Sequence, residues 1–344
     1  MELDERRARI LWGQHLTNTA DQRTVCRNLN GLQAQFLPSA LHDLAVRTGG
    51  MVNPEALVKS WTVRGTMHLF HPDDLPLFLH EGRDRFLRPI DRMEPDRFIT
   101  LERKQYFADL ILATLAEGPK KREELRAACR EAGMTETEER SVFDGWGGTL
   151  RHLAETGQIV HGAAEDKTFQ LCPSFTPMEE KNARVEMARR YFAHFGPATV
   201  RDAAYYFGKP QRDVKAWMAE LPLEHATVDS KDCFWLDDGQ RNWPEPPECL
   251  FLAHFDQLML GYEKTESIFL SKEYLRDIFN LAGIVMPVVL LRGRVAGSWK
   301  QKDGRLTLIP FGKWSARDKK TVLTAAERLW TVKRVDWAEN RRAK

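Results

Sequence analysis

The spacing of apolar and polar positions predicts a faint repeat in the middle of the chain. Residues 105–171 read as a helix over 105–117, a Gly118-Pro119 break, a helix over 122–132, a longer helix over 138–156 and, past Gly157, two strand-like runs near 159–162 and 168–171. Residues 179–236 keep that order: a helix ending at Gly196-Pro197, shorter helices over 199–207 and 211–220, and runs 223–228 and 233–236 flanking Asp229-Ser230-Lys231-Asp232. Gly-Pro has one mechanical reading at both places. Gly tolerates the left-handed cap that ends a helix, and Pro suits entry into the next helix but cannot continue the last. Three helices followed by a β-hairpin make a winged helix, which either lays a short helix in a DNA groove or serves as a protein-interaction module.

The first hundred residues read as a degenerate third copy, with helices over 5–15, 21–29 and 38–47 and a strand over 61–70, before Pro72-Asp73-Asp74-Leu75 opens another helix. The last hundred change character. After the apolar runs 250–252 and 255–261 come three β-rich runs, 284–291, 294–300 and 305–310, and Arg292-Gly293 and Asp303-Gly304 are short Gly-containing turns between them, the signal for hairpins. A small antiparallel sheet with an exposed basic edge, closed by a helix over 318–330, is expected. The fold class is therefore α+β, mainly α: tandem winged helices with a C-terminal antiparallel β-rich region. The expected segments are 1–104, 105–176, 177–243 and 244–344.

Apolar residues make up 42% of the 344, enough to bury a core and exclude a disordered chain. The longest apolar run, 281–291, is interrupted by Pro287 and is too short to span a bilayer. The first seven residues mix both charge signs, unlike a secretion signal, so a cytoplasmic protein is expected. Cys26, Cys129, Cys172, Cys233 and Cys249 are odd in number and never closely paired, which predicts reduced thiols rather than a zinc site. Net charge is +2, but residues 292–344 hold fifteen Lys and Arg against five Asp and Glu. A basic end on a near-neutral chain suits either a polyanion contact or a solvated tail.

Nucleotide-binding glycine motifs, H-E-x-x-H and G-x-S-x-G are all absent. His68 and His71 fall on opposite faces of a strand and its end, so no metal pair is expected and no cofactor is implied. Gln33-Ala34-Gln35 lies between Gly31 and Pro38, which favour a non-helical stretch. In an extended segment the two amides share one side, where they offer acceptors and donors enough to orient a water molecule. The alternative is a polar loop that caps a helix.

Gln33-Ala34-Gln35, Trp61-Thr62-Val63-Arg64-Gly65-Thr66-Met67-His68-Leu69, Tyr191-Phe192-Ala193-His194-Phe195-Gly196-Pro197, Phe255-Asp256-Gln257-Leu258-Met259-Leu260-Gly261-Tyr262 and the run from Val288 to Lys300 occur in one order. Together they resemble the winged-helix DNA glycosylases of the AlkZ and YcaQ type, over about residues 5–335. The resemblance implies a DNA repair enzyme acting on double-stranded DNA and built of tandem winged helices around a concave DNA channel. It implies excision of purines alkylated at N7, crosslinked ones included, with Gln33 and Gln35 as the catalytic pair of the Gln-x-Gln branch. N7 alkylation makes the base a cationic leaving group, so positioned water suffices and a strong general acid is not required. No lysine adjoins the motif to form a Schiff base, and an abasic site is the expected product.

Arg64, Thr66 and His68 alternate on the expected strand and either line the channel or form a buried network. Arg292, Arg294, Lys300 and Lys302 are the other expected DNA contacts, with Trp299 among them either packed beneath the hairpin or stacked on a base. Two departures from the family are Glu263-Lys264-Thr265, where Arg-Asp-Arg is usual, and Tyr205-Tyr206, where paired tryptophans are frequent. A monomer is expected. The competing readings are a non-catalytic winged-helix regulator and a protein-interaction scaffold.

Overall fold

The structure is a computed structural model that describes residues 1–82, 99–145, 147–162 and 167–339. Helix (46%) outweighs strand (19%), in line with a mixed, mainly helical class. The chain divides into two compact units, residues 53–186 and residues 1–52 with 187–344. Among the described residues no helix is long and apolar enough to cross a membrane, and no cluster of His, Cys, Asp and Glu is arranged to hold a metal ion.

In the unit 53–186, helices Leu101–Ala116, Arg122–Glu131, Glu136–Val142 and Gly148–Glu155 enclose a core that includes Phe107, Ile111, Leu125, Leu150 and Phe169. Strands Met67–Phe70, Val58–Trp61, Ile159–Gly162, Thr168–Leu171 and Lys120–Lys121 pair antiparallel in that order. Two expected elements are broken. The helix expected over 138–156 stops at Val142 and restarts at Gly148, with Gly147 at φ 120° and Gly148 at φ 52°. A Cβ on Gly148 would lie 2.5 Å from the carbonyl oxygens of Ser141 and Val142, so the turn folds back too tightly for a side chain. Trp146 lies outside the described residues. The strand expected over 61–70 is split by a 3₁₀ turn, Val63–Gly65, whose Arg64 sits at φ 59°. Two-residue periodicity therefore does not run from Arg64 to His68.

In the other unit, helices Leu3–Gly13, Gln22–Asn28 and Leu37–Thr48 are joined to residues 187–262 by side chains that reach backbone carbonyls. Arg6 Nε donates to the Pro197 carbonyl (2.9 Å), Tyr206 Oη donates to the Leu29 carbonyl (3.1 Å), and His42 Nε2 lies 2.8 Å from the Phe251 carbonyl. Tyr206, one of the pair at the departure from the family, is a core residue. Helices Val200–Phe207 and Gln211–Met218 precede the hairpin Leu223–Val228/Lys231–Leu236. Gly118 adopts a positive φ (133°), as the capping argument requires. Gly196 does not; it is glycine because a Cβ there would meet the Phe192 carbonyl oxygen at 2.4 Å and the Trp235 Cβ at 2.7 Å.

The C-terminal sheet has five strands in the order Cys249–Leu252, Val288–Leu291, Arg294–Lys302, Arg305–Pro310, Arg334–Trp337. All pairs are antiparallel except the last, which is parallel and has no signal in the sequence pattern. The strand Arg294–Lys302 is central, so the basic residues on it do not form a sheet edge. Helix Ala316–Leu329 closes the sheet over Phe251, Val289, Leu306, Leu308 and Val322.

Sheet and N-terminal helices meet at one buried ion pair. Arg47 donates to Asp256 through both terminal nitrogens (2.7 and 3.0 Å), and neither side chain is exposed at all. Arg47 Nε also donates to the Gln14 carbonyl at 2.9 Å, and Asp43 accepts from the Ala253 amide at 2.8 Å. Removing one partner strands a buried charge. Asp256→Ala is expected to cost about 3–5 kcal/mol in urea unfolding, and a loss below about 1 kcal/mol would show the pair to be incidental.

Candidate active site

The segment that carries Gln33 and Gln35 is set by the helix before it. Asp21 caps that helix by accepting from the Thr24 amide at 3.0 Å, and the helix ends where Asn30 (φ 53°) and Gly31 (φ 76°) turn left-handed in succession. Gly31 N donates to the Cys26 carbonyl at 2.7 Å, which closes the turn. Leu32–Gln33 is extended, the chain bends at Gln35 and Phe36, and helix Leu37–Thr48 begins with Pro38 in its first turn.

Because the extended stretch stops at Gln33, the same-side argument for the two amides does not carry through to Gln35. Gln33 is 7% exposed, whereas Gln35 is exposed to solvent. The amides therefore meet different surroundings. One is fixed within the protein and the other reaches water.

The string Phe255-Asp256-Gln257 holds the start of the segment and the far end of the helix that the segment enters. Gln257 Nε2, on a side chain 1% exposed, donates to the Gly31 carbonyl at 3.2 Å. At the far end Arg47, near the end of helix Leu37–Thr48, holds Asp256. Burial pushes the Asp43 carboxyl well above the usual carboxylate range, and the nearby Asp256 adds to that rise. Arg47 is pushed up: burial opposes its charge, but Asp256 outweighs it. Asp43, Arg47, Asp256 and Gln257 are thus positioning residues that the sequence reading left out of the site. Their signal was available: Asp256 and Gln257 lie in a string that accompanies Gln-x-Gln.

Beside the segment, Phe36 is 39% exposed and sits edge-on to His254, with ring centroids 5.3 Å apart, and 5.6 Å from Phe255. His254 is half-buried, with Nδ1 3.4 Å from Ser39 Oγ. Burial, followed by the positive charge of Lys300, pushes its imidazole down, so the ring is neutral near pH 7.

The expected DNA contacts separate into distinct environments. Lys300 and Lys302 are exposed, and no carboxylate pairs with them among the described residues. Arg292 is exposed but paired with Glu248 (3.3 Å) and Asp318 (2.8 Å), and Arg294 with Asp4 (3.3 Å). Trp299 is packed: its Nε1 donates to the Leu252 carbonyl at 2.9 Å, and its ring lies against His42, Phe251 and Trp330. Arg64 is half-buried on its turn. His68 has no exposed surface, its Nδ1 is 3.0 Å from the Thr66 carbonyl, and burial pushes its imidazole down to about 3. His68 and Trp299 are therefore closed to a nucleic acid in this conformation, and the buried-network reading fits His68. At the family departure Glu263-Lys264-Thr265, the Glu263 amide donates to Asp202 at 3.0 Å, and the Glu263 carboxylate lies 3.6 Å from Arg201.

Comparison with known proteins gives the context for this geometry. A curated relative, the interstrand DNA cross-link repair glycosylase of Streptomyces sahachiroi, is 26% identical over 315 residues, covering 83% of this chain and 84% of that protein. The solved structure of Streptomyces sahachiroi DNA glycosylase AlkZ superposes with a TM-score of 0.75 at 22% identity, covering 98% of this chain and 100% of that one, which shows a shared fold. The family described as DNA glycosylase AlkZ-like matches residues 26–332. That span takes in both Gln-x-Gln and the string that clamps it, and the chain belongs to the AlkZ-like family of DNA glycosylases, enzymes that hydrolyse N-glycosyl bonds in DNA.

Proposed function

We propose that the protein is a monofunctional, monomeric glycosylase that removes purines alkylated at N7 from double-stranded DNA, including purines tethered in interstrand crosslinks, with Gln33 and Gln35 orienting the attacking water. The observation that carries this reading is the held segment: Gln257 bonds its first residue, Arg47 ties down the far end of the helix it enters, and its second glutamine still reaches solvent. An amide holds water without taking its proton fully, which suits a leaving group already cationic. Gln35 is placed to hold the nucleophile at C1′, and Gln33 to fix the direction from which it comes. Departure of the neutral base leaves a sugar cation that water captures, giving an abasic site.

Tandem winged helices are the proposed framework. Segment 105–176, with the start of its first helix just before it, has helices Leu101–Ala116, Arg122–Glu131, Glu136–Val142 and Gly148–Glu155 ahead of the pair Ile159–Gly162/Thr168–Leu171, one helix more than the sequence pattern predicts. Segment 177–243 has helices Glu180–His194, Val200–Phe207 and Gln211–Met218 ahead of Leu223–Val228/Lys231–Leu236. Segments 1–104 and 244–344 supply the Gln loop and the basic sheet. Lys300 and Lys302 are the proposed phosphate contacts. Arg292 and Arg294 join them by exchanging carboxylates for phosphates, since exposed ion pairs are worth about 1 kcal/mol or less.

With duplex carrying 7-methylguanine or a nitrogen-mustard crosslink, wild type is expected to release base, and Gln33→Ala or Gln35→Ala to lower the rate by about 10². Equal rates for wild type and Gln35→Ala would remove the catalytic assignment and favour a non-catalytic DNA-binding protein. Replacing both Lys300 and Lys302 by Ala is expected to weaken duplex binding and flatten the slope of log K against log salt by about 2. An unchanged slope would place the phosphates elsewhere.

A further inference from the structure

A turn beside the Gln loop carries a side chain that the proposed chemistry does not use. Leu281 is 86% exposed, and Leu281, Ala282 and Gly283 all stand out in solvent. A single exposed leucine is ordinary on a protein surface. This one differs in how it is held and in what lies at its base.

The turn is pinned across its neck. Asn280 N donates to the Ile284 carbonyl at 3.2 Å, Gly283 N to the Asn280 carbonyl at 3.2 Å, and Ile284 N to Asn280 Oδ1 at 2.9 Å. Below these bonds Phe279 and Val285 form an antiparallel bridge, and Met286 N donates to the Ile278 carbonyl at 2.9 Å. Phe279 and Val285 are themselves buried. The leucine is thus presented by a short backbone loop with several cross-bonds, and its neighbours Ala282 and Gly283 are small enough to follow it into a narrow space.

The base of the turn is continuous with the candidate site. Phe255 N donates to the Val285 carbonyl at 3.3 Å, and the Phe255 ring packs 5.6 Å from that of Phe36, the residue after Gln35. Phe255 also precedes Asp256 and Gln257, which clamp the Gln segment. One continuous set of contacts therefore runs from the exposed amide to the turn that presents the leucine.

We propose that Leu281 is a wedge that enters the base stack of the duplex next to the target purine. Proteins that distort DNA insert apolar side chains of this size between base steps, and the unstacking they cause opens the helix locally. The uncharged tip Leu281-Ala282-Gly283 suits a stacked, apolar interior better than a phosphate. The proposal rests on the glycosylase reading and adds a positioning residue to it: Leu281 touches the neighbouring bases, while the amides act at C1′.

The test uses full-length protein and a duplex with 2-aminopurine beside 7-methylguanine, followed by fluorescence and, in parallel, by single-turnover base release. Wild-type binding is expected to raise the fluorescence as the probe unstacks. Leu281→Ala should abolish that rise and slow release about tenfold, and Leu281→Phe should restore both. The side chain lies in solvent, so neither change disturbs the core. Duplex binding and base release by wild type without a rise in fluorescence would overturn the wedge and leave the glycosylase reading intact. So would a Leu281→Ala variant that keeps the rise, or one whose defect is a change in self-association by sedimentation. Failure of wild type to bind duplex at all would overturn both.

Discussion

The fully buried pair between Arg47 and Asp256 is the interaction on which the candidate site depends. A guanidinium without solvent is tolerable only if its charge and its donors are matched, and here two nitrogens meet one carboxylate while the third meets a backbone carbonyl. Asp43 adds a second carboxyl to the same pocket. Burial and the neighbouring carboxylate push its proton affinity up, which lessens the negative charge gathered around Arg47. The consequence is positional. Helix Leu37–Thr48 cannot shift along the segment 253–257 without breaking a bidentate contact in a dry environment, and the Gln segment enters that helix directly.

Gln257 extends the constraint to the other end. Its amide holds the carbonyl of Gly31, where two left-handed residues reverse the chain. The Gln segment thus leaves a pinned turn and enters a helix whose far end is pinned, which limits the conformations open to it. On the proposed mechanism this restraint is what would make two uncharged amides, each a weak catalytic group, effective: little reorganisation would remain when the sugar cation forms. In the proposed mechanism the buried Gln33 would orient and the exposed Gln35 would touch the nucleophile.

Much of this arrangement was legible in the sequence, and the parts that were not have physical reasons. Helix ends with side-chain caps or glycine stops read correctly to within a few residues, as at Asp21, Thr199 and Gly208, because the determinants are local. So did the hairpin at Asp303-Gly304 and the closing helix. The 138–156 helix and the 61–70 strand failed because Gly147-Gly148 and Arg64 take left-handed or related conformations that a hydrophobic pattern does not record. The parallel strand Arg334–Trp337 and the Arg47–Asp256 pair join residues far apart in sequence, 29 residues for Arg305 and Arg334 and 209 for the ion pair. No local signal specifies such contacts. For the same reason the string at 255–257 was recognisable as a motif but not as the clamp on Gln-x-Gln, and the pattern left His68 and Trp299 open between a DNA contact and a packed side chain, where both pack inside.

If the clamp is what makes the glutamines effective, loosening it must slow chemistry without removing DNA from the surface. Gln257→Leu removes the bond to Gly31 and preserves most of the side-chain volume. The deciding measurement is single-turnover release of 7-methylguanine by this variant, with duplex affinity measured on the same preparation. Excision slowed by about tenfold or more at unchanged affinity is the predicted result. Excision at the wild-type rate would contradict the account.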